Sequence, residues 1–140
     1  MKVLIVLFSL ILLSLDVVVA DNLKIEFNAD DSYSIEDAKI DVGDTIEWLA
    51  TNKGHNVEFL AGPNMESLAE KSDLDVSHSG AFALPRVYLY RCTPHGNMGM
   101  LGLIVVGNNF KNLDKIEEVE LSHVAKLELQ RLIRIAKSNK

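Results

Sequence analysis

The densest group of metal-binding side chains in this 140-residue sequence lies in residues 91–100, between two apolar runs. This segment contains the single cysteine, Cys92, together with His95 and Met100. A thiolate, an imidazole and a thioether form a soft ligand set, which suits copper. Two histidines, one cysteine and a long axial methionine make a blue-copper site. His55, well upstream at the end of an earlier predicted strand, would supply the second imidazole. The sequence therefore predicts one copper ion, Cu(I)/Cu(II), with four ligands: His55, Cys92, His95 and Met100.

Each of these residues has a more ordinary interpretation when it is considered alone. A free cysteine is among the most buried residue types, a single histidine is usually a core or surface residue, and a methionine usually packs in a core. Their combination in one chain favours the metal site. The remaining histidines, His78 and His123, have no soft neighbours in sequence and are interpreted as ordinary polar residues.

Composition limits the possible partners and the size of the fold. The chain is 48% hydrophobic, which at this length indicates one domain with its own core. A formal net charge of −6 argues against a nucleic-acid partner. One cysteine cannot form a disulfide within the chain.

The first 20 residues have the pattern of an export signal. Lys2 precedes an apolar run that extends to Leu15, and small residues ending at Ala20 form a cleavage site. The run is shorter than the roughly 20 apolar residues needed to cross a bilayer. We therefore expect residues 1–20 to be cleaved, no membrane insertion afterwards, and a mature protein exported to an oxidising compartment. A metal would protect a lone cysteine in that oxidising compartment.

The segment after the signal has the alternating apolar and polar residues of half-buried strands. A nearly continuous apolar run at 102–106 indicates a strand buried on both faces. The strand before it is expected to direct Tyr88, Tyr90 and Cys92 inward. In the predicted strand at 55–59, Asn56 is expected on the opposite face from His55 and Val57. Short strands separated by turns predict an all-β sandwich or barrel. Further strands are predicted at residues 23–27, 38–42, 45–50, 55–59 and 74–79.

The C-terminal segment changes to helical periodicity. Residues 112–119 predict a short helix. Apolar residues then recur at steps of three and four from Leu121 to Ala136, which is the stripe of an amphipathic helix, and Ser122 is a suitable N-cap. We expect this helix to pack on the sandwich rather than on a membrane or a partner.

Four motifs resemble those of the cupredoxins, the type 1 blue copper family, and among these most closely the pseudoazurins. They are VGDTIEW at 42–48, GHNVE at 54–58, CTPH at 92–95 and MGMLG at 98–102. The resemblance extends over the mature chain and includes the two C-terminal helices. It implies a Greek-key β-sandwich with two short α-helices packed on it. Residues 21–107 would be the copper-binding domain, and residues 108–140 a helical extension of the same domain.

The resemblance also implies a role for each site residue. His55, Cys92 and His95 would be the equatorial ligands and a methionine the weak axial one. Amicyanin-like loops place that methionine six positions after the cysteine, at Met98, whereas pseudoazurins and plastocyanins place it eight positions after, at Met100. The second spacing is preferred. In addition, Asn56 is expected to tie the two ligand loops together with Thr93.

By the same resemblance, the protein shuttles single electrons between redox partners in the periplasm. It would be a monomer and not an enzyme, and would meet a reductase, oxidase or cytochrome only briefly. The alternative is copper storage or delivery, although the Met-rich tracts or Cys-x-x-Cys pair of such proteins are missing from the sequence. A small multicopper oxidase would need His-x-His pairs, which the sequence also lacks.

The electron port is expected at His95, within an apolar patch formed by Gly54, Pro94, Gly96 and Met98. Three features depart from the pseudoazurin pattern. Gly96 replaces a bulky residue, Arg86 replaces a glycine, and the lysine collar is reduced mainly to Lys53.

Overall fold

The computed structural model describes residues 19–68 and 71–138, so residues 1–18 of the predicted export signal lie outside it. Within the described ranges the chain forms seven strands and two α-helices. The strands are β1 (Asn22–Glu26), β2 (Asp37–Ile40), β3 (Thr45–Leu49), β4 (Glu58–Ala61), β5 (His78–Ala81), β6 (Val87–Arg91) and β7 (Leu101–Val106). The helices are α1 (Leu113–Glu117) and α2 (His123–Ser138), and short 3-10 turns lie at Met65–Leu68 and Gly96–Met98.

The strands form two sheets that pack as a sandwich. One sheet has the order β1-β3-β5 and the other the order β2-β7-β6-β4. The pairs β1/β3 and β2/β7 are parallel and the others are antiparallel, so both sheets are mixed. Most sheet neighbours are distant in sequence because the chain crosses repeatedly between the two layers, as Greek-key connections require. The predicted β-sandwich is confirmed.

Aromatic side chains fill the space between the sheets. Trp48 and Tyr90 are completely buried, and their rings meet edge to face with centroids 5.3 Å apart. Tyr33 packs against Tyr90 at 4.9 Å. Burying a large apolar side chain contributes roughly 1.5–3 kcal/mol, so this group is a main source of stability. Cys92 belongs to the same buried cluster.

The second sheet is buried on its outer face as well. All six residues of β7 are buried, as the continuous apolar run predicts. Leu89 and Leu103 face outward and pack in one cluster with Leu129 and Leu132 of α2. Both the helical stripe and its packing on the sandwich are therefore confirmed. The N-terminal cap is also present, since the Ala125 N–H donates to Ser122 Oγ at 3.1 Å.

Two predicted strands begin later in the structure than the sequence predicts. The strand expected at 55–59 begins only at Glu58, and the strand expected at 74–79 begins at His78. Between them, the Ser72 N–H donates to the Val57 carbonyl, and the Val57 N–H donates to Ser72 Oγ. The Asp75 N–H also donates to the His55 carbonyl, so these residues of both segments are bonded to each other in loops rather than in a sheet ladder. Asn56, predicted on the opposite face from His55 and Val57, is buried like both of them.

In the described part of the chain, no helix is both long enough and apolar enough to cross a membrane.

Candidate metal centre

Three donor atoms from two distant loops converge at one end of the sandwich. His55 Nδ1 and His95 Nδ1 lie 3.2 Å apart. Cys92 Sγ lies 3.7 Å from the first and 3.5 Å from the second. His55 and Cys92 are buried, while the His95 side chain is 21% exposed. The fold therefore brings together three of the four residues that the sequence singles out as ligands.

Backbone hydrogen bonds shape the loop that carries Cys92 and His95. The Gly96 N–H donates to the Cys92 carbonyl at 2.7 Å, which closes a tight turn around His95. The Met100 N–H donates to the His95 carbonyl, and the Cys92 N–H to the Met100 carbonyl. Gly99 takes a left-handed φ of 103°, a conformation that glycine adopts at little cost. The loop thus returns to the start of β7 directly beside Cys92.

The two candidate axial methionines of this loop differ in burial. Met100 is 2% exposed and belongs to the buried cluster that contains Cys92. Met98 is 62% exposed and lies on the surface. A thioether that serves as a metal ligand must point into the protein, so burial favours Met100.

A second loop holds His55 in place. The Asp75 N–H donates to the His55 carbonyl at 3.0 Å, and Asp75 Oδ1 accepts the Gly54 N–H at 2.5 Å. Phe27 packs edge to face against the imidazole, with centroids 5.9 Å apart. Asp75 therefore restrains the backbone at His55, and Phe27 restrains its ring.

Asn56 connects the two ligand loops. Its Oδ1 accepts the Thr93 N–H at 2.7 Å, and its Nδ2 donates to Thr93 Oγ1 at 2.9 Å and to the Ser72 carbonyl at 3.2 Å. The bond expected between Asn56 and Thr93 is therefore present. Because Asn56 is buried, loss of any of these partners would leave a costly unpaired polar group.

Arg91 explains the unusual glycine after His95. A Cβ on Gly96 would lie 2.6 Å from Arg91 Cδ, so the arginine stem occupies the space of a larger side chain. Arg91 Nε donates to Glu58 Oε2 at 2.7 Å, and this bond holds the pKa of Glu58 below its usual value. Gly96 is buried as a result, which corrects its predicted place in the exposed apolar patch. Pro94 and Met98 remain exposed.

The chemistry of the converging atoms fits copper. Burial raises the pKa of the Cys92 thiol, although backbone N–H groups of Asn56 and His95 act in the opposite direction. A buried thiol beside two imidazole nitrogens ionises readily only when a cation is bound nearby. Metal binding therefore releases the thiol proton. The two nitrogen donors and one sulfur donor match the preference of copper, whereas magnesium and calcium prefer oxygen.

The other two histidines lie away from this group. His78 is in β5, where its Nε2 lies 3.2 Å from the Leu68 carbonyl and burial lowers its pKa. His123 is the first residue of α2. Neither belongs to the cluster of potential metal ligands, in agreement with their interpretation as ordinary polar residues.

One residue near the site was not identified from the sequence. Asp31 Oδ1 lies 3.8 Å from His55 Nε2 and 3.6 Å from His95 Nε2. Asp31 belongs to a polar turn and to none of the four motifs. The sequence feature that could have pointed to Asp31 is the pair of acidic residues, Asp30 and Asp31, in a turn that follows a strand.

The site and fold together define a copper-binding β-sandwich, and comparison with known proteins identifies the family. The sequence profile of the family described as "Copper binding proteins, plastocyanin/azurin family" matches residues 19–107. The chain therefore belongs to the plastocyanin/azurin family of copper-binding proteins.

Several of the relatives and solved structures that the chain resembles are pseudoazurins. The chain is 35% identical to the pseudoazurin of Paracoccus pantotrophus over 85 residues, which cover 60% of this chain and 59% of that relative. It is similar to the solved pseudoazurin of Sinorhizobium meliloti, with a TM-score of 0.74 and 25% identity over 86% of this chain and 99% of the other. For the pseudoazurin of Methylobacterium extorquens AM1, the TM-score is 0.70 at 25% identity, over 86% and 100% of the two chains.

Proposed function

We propose that this protein is a type 1 copper protein that carries single electrons between partner proteins in the periplasm. The observation that supports this role most directly is the convergence of two imidazole Nδ1 atoms and one thiol sulfur within 3.7 Å of one another. The pseudoazurin relatives and the family of copper-binding proteins add support. The proposed role is electron carriage rather than catalysis.

In this proposal, His55, Cys92 and His95 hold the copper through Nδ1, Sγ and Nδ1. The buried thioether of Met100 supplies the weaker fourth contact. A bound copper ion would supply a one-electron couple between Cu(I) and Cu(II). The hydrogen bonds of Asn56 and of the loop backbone keep the donor atoms in place, so that little rearrangement accompanies a change of oxidation state.

The partly exposed edge of His95 would be the port for electrons. Pro94 and Met98 are exposed beside it and offer a small apolar surface for docking. A contact of this kind belongs to the weak redox class of interface, below about 1,200 Å². Residues 1–20 would be the cleaved signal, residues 21–107 the copper-binding domain and residues 108–140 its helical extension. The mature protein would act as a monomer.

The visible spectrum of the copper-loaded protein tests this proposal. We expect an intense band from thiolate-to-copper charge transfer that disappears on chemical reduction and returns on oxidation. A protein that remains colourless with copper would contradict the proposal. Rapid transfer of copper to a chelator, without electron exchange with a redox protein, would instead support storage or delivery.

Two matched variants test the choice of axial methionine. Met100→Leu should shift the band and the reduction potential, because the leucine side chain fills the volume but offers no sulfur. Met98→Leu should leave both unchanged, since that side chain lies on the surface. The opposite result would assign the axial contact to Met98.

A further inference from the structure

Asp31 is held in an uncommon backbone conformation by a short, well-bonded turn. The turn closes where the Asn28 N–H donates to the Ser32 carbonyl at 2.9 Å and Asn28 Nδ2 donates to Ser32 Oγ at 2.9 Å. At its tip, Asp31 has a φ of 59°, in the left-handed region. Aspartate and asparagine tolerate this region better than most residues. The turn thus fixes the backbone position from which the Asp31 side chain projects.

The turn is anchored to the loop that carries His55. Tyr33 Oη donates to the Asn56 carbonyl at 2.8 Å in the buried core. Phe27, at the other end of the turn, packs against the His55 ring. Thr51 Oγ1 adds a bond of 2.8 Å to the Phe27 carbonyl. These contacts fix the position of Asp31 relative to the first imidazole.

The Asp31 carboxylate lies on the outer side of both imidazoles. The Nδ1 atoms of His55 and His95 face each other and Cys92 Sγ, whereas the two Nε2 atoms lie 3.8 and 3.6 Å from Asp31 Oδ1. These distances are longer than a hydrogen bond but within the range of an ion pair. A carboxylate beyond the Nε2 edges is outside the donor set, so Asp31 is not a candidate ligand.

We propose that Asp31 is a positioning residue that acts through both imidazoles and makes the bound copper harder to reduce. This inference rests on the proposed function. When Nδ1 binds a metal, Nε2 must carry the ring proton, and the positive edge of each imidazole then faces the carboxylate. A fixed negative charge stabilises the doubly charged oxidised ion more than the singly charged reduced ion. No bond forms or breaks at Asp31, and the electron comes from the external donor.

Asp30 provides a matched control for this effect. It is the adjacent residue of the same turn and carries the same charge, but its Oδ1 accepts a hydrogen bond of 2.6 Å from Ser32 Oγ. Asparagine at position 30 retains an oxygen that can accept this bond. If proximity to the imidazoles matters, neutralising Asp31 and neutralising Asp30 will have different effects, although each removes one negative charge from the same loop.

The experiment compares midpoint potentials of the copper-loaded full chain and its variants, measured by titration in an optically transparent electrochemical cell. In Asp31→Asn we expect the equilibrium to shift toward the reduced protein by about tenfold, which is about 59 mV for one electron. The shift in Asp30→Asn should be less than about twofold. Asp31→Glu restores the charge and should recover part of the wild-type potential. The shift should shrink at high salt, because Asp31 is half exposed.

Several outcomes would overturn the inference. Equal shifts in Asp31→Asn and Asp30→Asn would show a general surface-charge effect, and no shift in either would show no effect at all. Asp31→Gly, which keeps the left-handed backbone, serves as a second neutral variant. Loss of the visible band in both Asp31→Asn and Asp31→Gly would make Asp31 a structural or ligating residue, contrary to the inference. Failure of the wild-type protein to form the band would instead reject the proposed function, independently of any variant.

Discussion

The two sides of the β6–β7 pair are stabilised by different kinds of interaction. The loop that joins these strands belongs to the candidate metal centre, where long-range hydrogen bonds through Asn56 connect segments that are distant in sequence. The outer face of the same strands is covered by α2 through apolar contacts. The β6–β7 hairpin thus has a hydrogen-bonded polar loop at one end and a hydrophobic layer on its outer face.

This difference separates the determinants of the site from those of stability. Apolar burial is non-directional, so the layer under α2 adds to the free energy of unfolding but does not fix the position of any donor atom. The hydrogen bonds of the ligand loops are directional and modest in net energy, yet they determine where donor atoms lie. We therefore expect changes under α2 to alter stability and changes in the loops to alter the spectrum.

The largest expected effect on stability is in the helical layer. Leu132 is completely buried between α2 and the sheet. Leu132→Ala should lower the free energy of unfolding by about 2–5 kcal/mol, through lost burial and the cavity left behind. Denaturant titration measures this change. The visible spectrum of the folded copper protein should not move, and the exposed Leu127 on the same helix provides the control, since Leu127→Ala should cost much less.

The connection between the ligand loops should give an intermediate effect on stability and a clear effect on the spectrum. Asn56→Ala leaves the Thr93 N–H and the Ser72 carbonyl without their buried partner. The expected loss is about 1–3 kcal/mol, with a shifted or broadened copper band. Asn97→Ala, in the exposed part of the same region, should change neither. An unaltered band in Asn56→Ala would mean that the loops hold their arrangement without this side chain.

Ser122 joins the two regions, because its hydroxyl caps α2 and also donates to the Asn97 carbonyl in the ligand loop at 2.7 Å. Ser122→Ala should destabilise the protein by about 1 kcal/mol through loss of the cap. If the second bond also matters, exchange of backbone amides in residues 96–98 should become faster in the variant. Hydrogen exchange followed by mass spectrometry would detect this, and unchanged exchange there would show that the two regions are independent.

The smallest effect is expected at Glu58, near the surface. Its pKa is lowered by the hydrogen bond from Arg91, so the folded state favours the charged form. The resulting stability is present at neutral pH and is lost as the pH falls from the ordinary glutamate pKa, about 4.3, through the lower folded value. Glu58→Gln should therefore cost at most about 1 kcal/mol at pH 7 and less than that at pH 3. Unfolding titrations at both pH values would measure the difference.

Periodicity made the framework of the fold predictable. The continuous apolar run at β7 and the three- and four-residue stripe of α2 correspond to the buried faces observed. The segments at 55–59 and 74–79 could not be assigned in the same way. Their apolar residues alternate like those of strands, but hydrogen bonds to Ser72 and Asp75, remote in sequence from His55, hold them as loops.

By itself, the sequence determined which donor atoms are present and the short spacing between Cys92 and His95, because one tight turn suffices to aim both side chains at the same point. Only the tertiary structure decided that His55 lies beside them, that Met100 is buried while Met98 is exposed, and that Asp31 faces both imidazoles. The physical reason is that local spacing restricts a few residues of one loop, whereas contacts between separate loops depend on how the two sheets pack.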